Sequence, residues 1–398
     1  MNIFGNKRTR AEKILKSFLA LAVMASISSV ASADADRHSD QDETAFQKVE
    51  GDLSVMVLGS GGPMATAEGR ASAGYLIFTD GKPRILMDVG GGTYQRLAQS
   101  GTNIKDLDII LLSHLHADHT GDLTPVIKTI YFHNNLARAA AAAKGITLPG
   151  RKAPIRIWGP KSSALPIETT GVSYPTPNGP VLVYPATSDY VDEHFSIAKG
   201  GVERYLKAFV TGISDDDGPA PFGGPGVAVS EFNYSPHDLS SKIPGATLET
   251  VLDENGLVIK SIAVDHGPVP AVAFRIEYKG HVVVYSGDTG TKGLGPNHLG
   301  QGNMATISQD ADLLIYDTAV MEAGDAPPNP LFHVLHSEPS LIAGVAIDAN
   351  VKKLVLSHLT PVTSPRINEV IDIIKGAGFT GEIKEARDLQ VYNLGEDH

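Results

Sequence analysis

The chain has 398 residues, a formal net charge of −12 at pH 7 and no cysteine. The lack of cysteine excludes disulfides and thiolate zinc sites, so a metal site would have to use imidazole and carboxylate ligands. The acidic balance repels polyanions, which disfavours long nucleic acid as a partner. A chain of this length can bury an ordinary hydrophobic core without cross-links.

The first 33 residues have the pattern of a cleaved signal peptide. Basic residues up to Lys16 precede a short apolar stretch at 18–25, and Ala31-Ser32-Ala33 follows. The apolar stretch is too short to cross a bilayer, and no later window is apolar enough, so we expect no membrane span in the mature protein. We expect Sec-type export, to a periplasm or out of the cell, and a disordered polar leader at 34–50.

From residue 51 onward, short apolar runs alternate with helical stretches, which predicts an α/β (α+β) fold. The predicted strands lie at 53–58, 73–79, 84–88, 107–112, 155–158, 260–264, 271–277, 281–285, 312–316 and 353–356. The predicted helices lie near 94–100, 123–144, 338–348 and 367–377. We expect one domain at 51–398 rather than two, because candidate ligands spread over this range must converge on one site.

Residues 161–230 form a predicted insertion within this domain. Its density of proline and glycine favours irregular loop, with a short helix around 196–209. Such a long loop is either a lid over the substrate or a neutral elaboration, and both interpretations stay open. Its aromatic residues Tyr174, Tyr184 and Phe222 are candidates for stacking on a substrate.

Three histidines and an aspartate occupy six positions directly after the apolar run 107–112. They are His114, His116, Asp118 and His119. This density favours a metal site at a strand end over a polar turn that is rich in histidine by chance. Neutral imidazole and carboxylate together suit zinc.

The spacing of these four residues resembles the His-x-His-x-Asp-His signature of the metallo-β-lactamase superfamily. Later segments resemble its remaining motifs, in the same order and each at the end of a predicted strand: His266, Asp288 and His358. The resemblance implies a four-layer αβ/βα sandwich whose ligands lie on loops along one edge. It also implies two zinc ions per chain, the first held by His114, His116 and His266, the second by Asp118, His119 and His358, with Asp288 as the bridge.

Within the superfamily, the chain resembles the ribonuclease Z and arylsulfatase branch. The apolar strand and glycine turn at 55–63 are similar to the start of that branch. Asp88 matches its early aspartate, which is implied to support the ligand loop. His336 matches an additional histidine that is implied to protonate a leaving group, with Glu338 as a candidate partner. We therefore assign the catalytic roles to His336 and to Asp118, which is also a ligand.

One feature departs from ribonuclease Z. The short form of those enzymes carries a long Gly/Pro-rich arm for gripping tRNA between the third and fourth motifs. Here only 21 residues separate His266 from Asp288, which leaves no room for the arm. Together with the acidic charge and the expected export, this argues against tRNA processing.

These observations predict an exported dinuclear zinc hydrolase that cleaves a small phosphodiester or aryl sulfate ester with hydroxide generated at the metal ions. Three alternatives stay open: a lactam or lactone hydrolase, which would not need His336; a ribonuclease Z-like phosphodiesterase; and a zinc-binding protein without turnover. The expected partner is a small-molecule ester, and assembly as a homodimer is left open.

Several further polar residues fit no motif position. Asp265 either orients the neighbouring His266 or faces solvent, because alternate residues of a strand point to opposite sides. Four other histidines are interpreted as structural: His194, His237, His281 and His333.

Overall fold

Two β-sheets of seven strands each form the centre of the protein in a computed structural model. The structure describes residues 48–163, 183–211, 229–243, 246–290, 299–322 and 330–395. The predicted signal peptide and nearly all of the predicted leader lie outside these residues. Among the residues that are described, no helix is long and apolar enough to cross a membrane.

The first sheet has the strand order β14-β1-β2-β3-β4-β5-β6. Strands β14, β1, β2 and β3 pair antiparallel, whereas β3, β4, β5 and β6 pair parallel. The strands are β1 (Leu53–Gly59), β2 (Gly74–Thr79), β3 (Lys82–Val89), β4 (Ile109–Leu111), β5 (Ile155–Pro160), β6 (Tyr234–Leu239) and β14 (Val391–Leu394).

The second sheet has the order β13-β12-β11-β10-β9-β8-β7 and the same plan. Strands β7 to β10 pair antiparallel, whereas β10 to β13 pair parallel. The strands are β7 (Glu249–Glu254), β8 (Leu257–His266), β9 (Val269–Tyr278), β10 (His281–Tyr285), β11 (Leu313–Asp317), β12 (Lys353–Ser357) and β13 (Glu382–Glu385).

Helices flank the sheets. The described helices are α1 (Thr93–Ser100), α2 (Ala117–Thr120), α3 (Leu123–Ala142), α4 (Thr187–Phe195), α5 (Tyr205–Thr211), α6 (Leu299–Ile307), α7 (Pro330–Leu335), α8 (Pro339–Asp348) and α9 (Ile367–Gly376).

Three hydrophobic clusters explain the layering. One cluster lies between the sheets and takes alternate residues from both, such as Tyr75 and Ile85 from the first sheet and Phe274 and Ile315 from the second. A second cluster joins the outer face of the first sheet to α1, α3, α4 and α5. A third joins the outer face of the second sheet to α6, α8 and α9. Since each sheet buries both faces, the chain forms the predicted four-layer αβ/βα sandwich.

Ionic contacts also join the two sheets. Arg156 on β5 contacts Glu254 on β7 at 2.8 Å and Asp108 at 2.6 Å, and Arg84 on β3 contacts the same two carboxylates. All four side chains are partly exposed, so we assign this network a role in alignment more than in stability.

The predicted α/β sandwich is confirmed, and all ten predicted strands are present. Four short strands were not predicted: β6, β7, β13 and β14. Strand β6 contains Pro236 and polar residues, while β7 and β13 carry several charged residues, so their sequences lack a buried strand pattern. They form because each adds hydrogen bonds at or next to a sheet edge.

Where the structure describes the insertion 161–230, it contains more helix than the one short helix that the sequence predicted within irregular loop. Residues 187–195 and 205–211 are the helices α4 and α5, separated by turns where one short helix was expected at 196–209. Both helices bury apolar residues against the first sheet, including Val191, Phe195, Leu206 and Val210. Tertiary packing therefore supplies the order that the local sequence does not indicate.

We expect Phe274→Ala to lower the free energy of unfolding by about 3–5 kcal/mol, because Phe274 is fully buried between the sheets and its removal leaves a cavity. Urea unfolding would measure this loss. The control is Val202→Ala, whose side chain is 73% exposed and whose loss should stay within about 0.5 kcal/mol. Similar stabilities for the two variants would mean that the space between the sheets is not the principal core.

Candidate metal centre

The candidate ligands come from both sheets and meet at one edge of the sandwich. In each sheet, neighbouring parallel strands end at the same edge, so the segments that follow them lie side by side. His114 and His116 follow β4, and helix α2 carries Asp118 and His119. On the second sheet, the ligands lie at the end of β8, after β10 and after β12: His266, Asp288 and His358.

All seven predicted ligands lie together in the folded chain. The side chains of His114, His116 and His266 form one group, in which the candidate ligand atoms lie within 4.8 Å of one another. A second group meets the same limit and consists of Asp118, His119, Asp288 and His358. These are the two sets that the family resemblance implied.

Asp288 faces both groups with different oxygens. Its Oδ1 lies 3.2 Å from the Nε2 atoms of both His119 and His358. Its Oδ2 lies 3.7 Å from His114 Nε2 and 3.8 Å from His266 Nε2. A carboxylate with one oxygen toward each set of imidazoles is placed to bridge two cations.

The first group presents unprotonated nitrogens to its centre. Nε2 of both His114 and His266 is buried and has no hydrogen-bond partner. The Nδ1–H of His266 donates to the Leu335 carbonyl at 2.8 Å, which leaves the Nε2 lone pair free. Burial holds the pKa of His114 well below its usual value and lowers the pKa of His266 to about 4. Buried lone pairs of this kind fit a divalent cation.

In the second group, the pKa values of the histidines are raised and not lowered. Although burial lowers the pKa of His119, the carboxylates of Asp288 and Asp118 raise it well above its usual value. The pKa of His358 is raised to about 10, because Asp288 and the hydrogen bonds to Asp118 and Asp317 outweigh burial. The group thus attracts positive charge strongly. A cation and protons compete for these nitrogens, so binding a cation would release protons.

Asp88 supports the ligand loop of the first sheet. Its Oδ2 accepts hydrogen bonds at 2.7 Å from His119 Nδ1, from the Ser113 hydroxyl and from the Tyr285 hydroxyl, while Oδ1 accepts one from the Ser113 backbone. The carboxylate therefore turns His119 Nε2 toward the ligand group, which is the orienting role expected for it. The residue has a φ of +52°, a strained conformation that these contacts stabilise.

Asp317, at the end of β11, has the corresponding position on the second sheet. Its Oδ1 accepts a hydrogen bond from His358 Nδ1 at 3.1 Å, and its Oδ2 accepts one from His336 Nδ1 at 2.7 Å. Sequence reasoning missed this residue and named Glu338 as the partner of His336. The signal was present: the run Leu313–Asp317 ends a buried strand on an aspartate, as the segment before Asp88 does.

His336 lies beside the ligand groups, where it was expected. Its ring centroid is 5.4 Å from that of His266 and 5.5 Å from that of His358, and its side chain is buried. A further group of possible ligands combines it with Asp288, Asp317 and His358.

The glycine turn after β1 packs behind one ligand. A Cβ atom on Gly62 would lie 3.0 Å from the His358 imidazole, so a larger residue would require the imidazole to shift. His358 itself has a φ of +58°. The glycine turn at the end of the segment 55–63 therefore packs against His358, the last candidate ligand in the chain.

Of the three aromatic residues proposed to stack on a substrate, Tyr184 is described. Its ring lies 6.1 Å from that of His116. The Tyr184 carbonyl accepts a hydrogen bond from the Ser163 backbone at 3.2 Å, which ties the insertion to the end of β5. Tyr174 and Phe222 lie outside the described residues.

The polar residues without a motif position belong to none of the candidate ligand groups. The carboxylate of Asp265 accepts a hydrogen bond from the Gly267 backbone at 3.0 Å, across the turn between β8 and β9. His237 stacks on Trp158 with centroids 5.0 Å apart. The remaining histidines have local contacts: His194 with the Tyr190 carbonyl, His333 with the Met321 carbonyl and His281 with Asp312.

Comparison with known proteins agrees with this geometry. A family model described as "Anti-Pycsar protein Apyc1" matches residues 53–143, which include the first ligand motif. Ribonuclease Z from Mycobacterium bovis (strain BCG / Pasteur 1173P2) is 25% identical over 348 residues, spanning 85% of this chain and 96% of that protein. Ribonuclease Z from Methanosarcina mazei is 28% identical over 327 residues, spanning 77% and 88%.

Solved structures show the same fold. The short form of human tRNase Z superposes with a TM-score of 0.52 and 19% identity, covering 85% of this chain and 98% of that one. A long-form ribonuclease Z from yeast gives a TM-score of 0.50 and 16% identity, covering 88% and 42%. The fold, the clustered candidate ligands and these similarities support a metal-dependent hydrolase with the metallo-β-lactamase fold that is similar in sequence to ribonuclease Z.

Proposed function

We propose that the protein hydrolyses phosphodiester bonds in small molecules and holds two zinc ions in its two ligand groups. The observation that carries this proposal is the position of Asp288, which faces one imidazole group with each carboxylate oxygen. Zinc ions bound there would lower the pKa of a water to near neutrality and offset negative charge on the phosphoryl oxygens.

The chain's own residues prepare this site in two ways. The outward Nδ1 atoms of His119, His266 and His358 are each held by a carboxylate or a carbonyl, so all three rings present Nε2 to the centre. Burial keeps most of the ligands out of water, which strengthens their interaction with a cation and with the charge of a diester.

His336 is the proposed proton donor to the leaving oxygen. Its ring lies between a ligand of the first group and a ligand of the second, and Asp317 fixes its orientation through Nδ1. Asp317 can stabilise the protonated ring without transferring a proton itself. A departing alkoxide needs such a proton, whereas an opened lactam does not need a dedicated donor.

Two observations favour a small substrate over tRNA. Residues 267–287 are all described and form only β9, β10 and tight turns, so no arm projects between His266 and Asp288. The chain also has a net charge of −12, which disfavours a long polyanion. Tyr184, close to His116, offers a stacking surface for one flat group.

We also propose that the protein is exported, on the basis of its signal-peptide pattern.

The decisive test is a substrate panel with purified, zinc-reconstituted protein. We expect turnover of bis-p-nitrophenyl phosphate and little or none of p-nitrophenyl sulfate, nitrocefin or precursor tRNA. Dominant activity on the sulfate ester, the lactam or the tRNA would replace the proposal with the corresponding alternative. No activity on any of the four would favour a binding protein without turnover.

We expect elemental analysis to return two zinc ions per chain, because six terminal ligands and a bridge exceed what one tetrahedral ion can use. Asp288→Ala should lose turnover and weaken both metals. Asp265→Ala is the control, since this aspartate bonds to its own turn, and its effect should be mild. One metal per chain in the native protein, or equal metal loss in both variants, would contradict the bridging role.

We expect His336→Ala to keep its zinc and to lose roughly 10²–10⁴-fold in rate on diesters with poor leaving groups, the size typical of general acid catalysis. A nitrophenolate departs without a proton and should be much less affected. Asp317→Asn should show the same dependence on the leaving group, with a smaller loss. Equal slowing across a series of leaving groups, with metal content intact, would show that His336 only positions the substrate.

A further inference from the structure

A cleft of about 670 Å³ opens between the two sheets, at the edge that carries the metal centre. Residues 264, 265 and 267–270 of the β8–β9 hairpin form one wall. The other wall follows β5 and β6 and is made largely of hydroxyl and ammonium groups: Lys161, Ser162, Ser163, Ser240, Ser241 and Lys242. The volume lies in the range of small-molecule binding sites.

The cleft continues the metal centre along the edge of the first sheet. Strands β4, β5 and β6 are parallel neighbours, so the segments after them are adjacent. The segment after β4 carries His114 and His116, and the next two segments line the cleft. At roughly 4.8 Å between neighbouring strands, the cationic wall begins about one or two strand spacings from the ligand loop. Tyr184 joins the two regions, since its ring is near His116 and its carbonyl binds Ser163.

The wall after β5 and β6 offers hydrogen-bond donors that the protein itself does not use. The Ser163 hydroxyl is buried and has no hydrogen-bond partner. Among the described residues, neither Lys161 nor Lys242 has an ion pair, although the chain is strongly acidic. Ammonium and hydroxyl donors on one wall suit a phosphate group.

The hairpin wall has a different character. It presents Pro268, Val269 and Pro270, together with the carboxylate of Asp265. That carboxylate repels an anion, so a phosphate belongs on the lysine wall and an uncharged group against the prolines.

We propose that this cleft binds a second phosphate of the substrate, attached through a sugar or nucleoside to the phosphodiester that is cleaved. The proposal rests on the proposed phosphodiesterase function and specifies its substrate class. It places the diester at the metal centre, the second phosphate between Lys161 and Lys242, and the intervening group beside Tyr184 and the hairpin.

The test compares thymidine 5′-(p-nitrophenyl phosphate) with its 3′-phosphorylated derivative on the full-length, zinc-loaded protein. We expect the 3′-phosphate to raise kcat/KM at least 10-fold, mainly through KM, as charged hydrogen bonds contribute on this scale (roughly 10-fold or more each). Lys161→Ala/Lys242→Ala should bring the ratio of the two substrates close to one, and the corresponding double Arg variant should retain most of it. Lys144→Ala/Lys375→Ala removes the same charge at other exposed positions and should keep the ratio.

No preference for the 3′-phosphate in the native protein would overturn the proposal, as would an unchanged ratio in a folded Lys161/Lys242 variant. Failure to hydrolyse either substrate would count against the phosphodiesterase function alone. The cleft would then be judged by calorimetric titration with thymidine 3′,5′-bisphosphate. Binding weakened about 10-fold or more in the Lys161/Lys242 variant, but not in the Lys144/Lys375 control, supports the cleft, and equal binding in both overturns it.

Discussion

The carboxylate of Asp288 is the constraint on which the rest of the site depends. It is only 2% exposed and faces imidazoles from both sheets. A buried carboxylate is costly unless positive charge lies next to it. That demand raises the pKa values of His119 and His358, whereas burial lowers those of His114 and His266 and leaves their Nε2 atoms without a hydrogen-bond partner. Divalent cations bound here would supply positive charge to the carboxylate of Asp288 and would accept the lone pairs of the imidazole nitrogens.

The two sheets support this carboxylate in equivalent ways. In the first sheet, the buried strand β3 carries Asp88 near its end, and Asp88 orients His119. In the second sheet, the buried strand β11 ends on Asp317, which orients His358 and also holds His336. Each orienting carboxylate is nearly or fully buried and fully engaged in hydrogen bonds. The second sheet therefore links a metal ligand and the proposed proton donor through one side chain, which gives Asp317 a larger part in the chemistry than Asp88 has.

Similarity to ribonuclease Z extends over most of the chain, yet the surroundings of the site favour a different substrate. The segment between His266 and Asp288 contains only the two strands β9 and β10, and the chain is acidic. The extra length instead follows β5, where the insertion brings Tyr184 to His116 and Lys161 to the neighbouring cleft. Under the proposed function, substrate selection would depend on surface elements, whereas the candidate metal centre depends on strand ends that the core holds in place.

The sequence by itself predicted the long buried strands and a metal site at His114 to His119, because apolar runs and the dense histidine motif are local patterns. The four-layer sandwich and the three later candidate ligands followed from the resemblance to a known family. The sequence could not determine β6, β7 and β13, whose largely polar sequences become strands only through hydrogen bonds to neighbouring strands, or β14, whose four residues are too few to form a pattern. Nor could it determine the helices of the insertion, which are ordered by packing on the first sheet. The contacts of Asp317 and the lysine-lined cleft were decided by tertiary structure: their partners lie far apart in the chain, and only the convergence of strand ends from both sheets makes them neighbours.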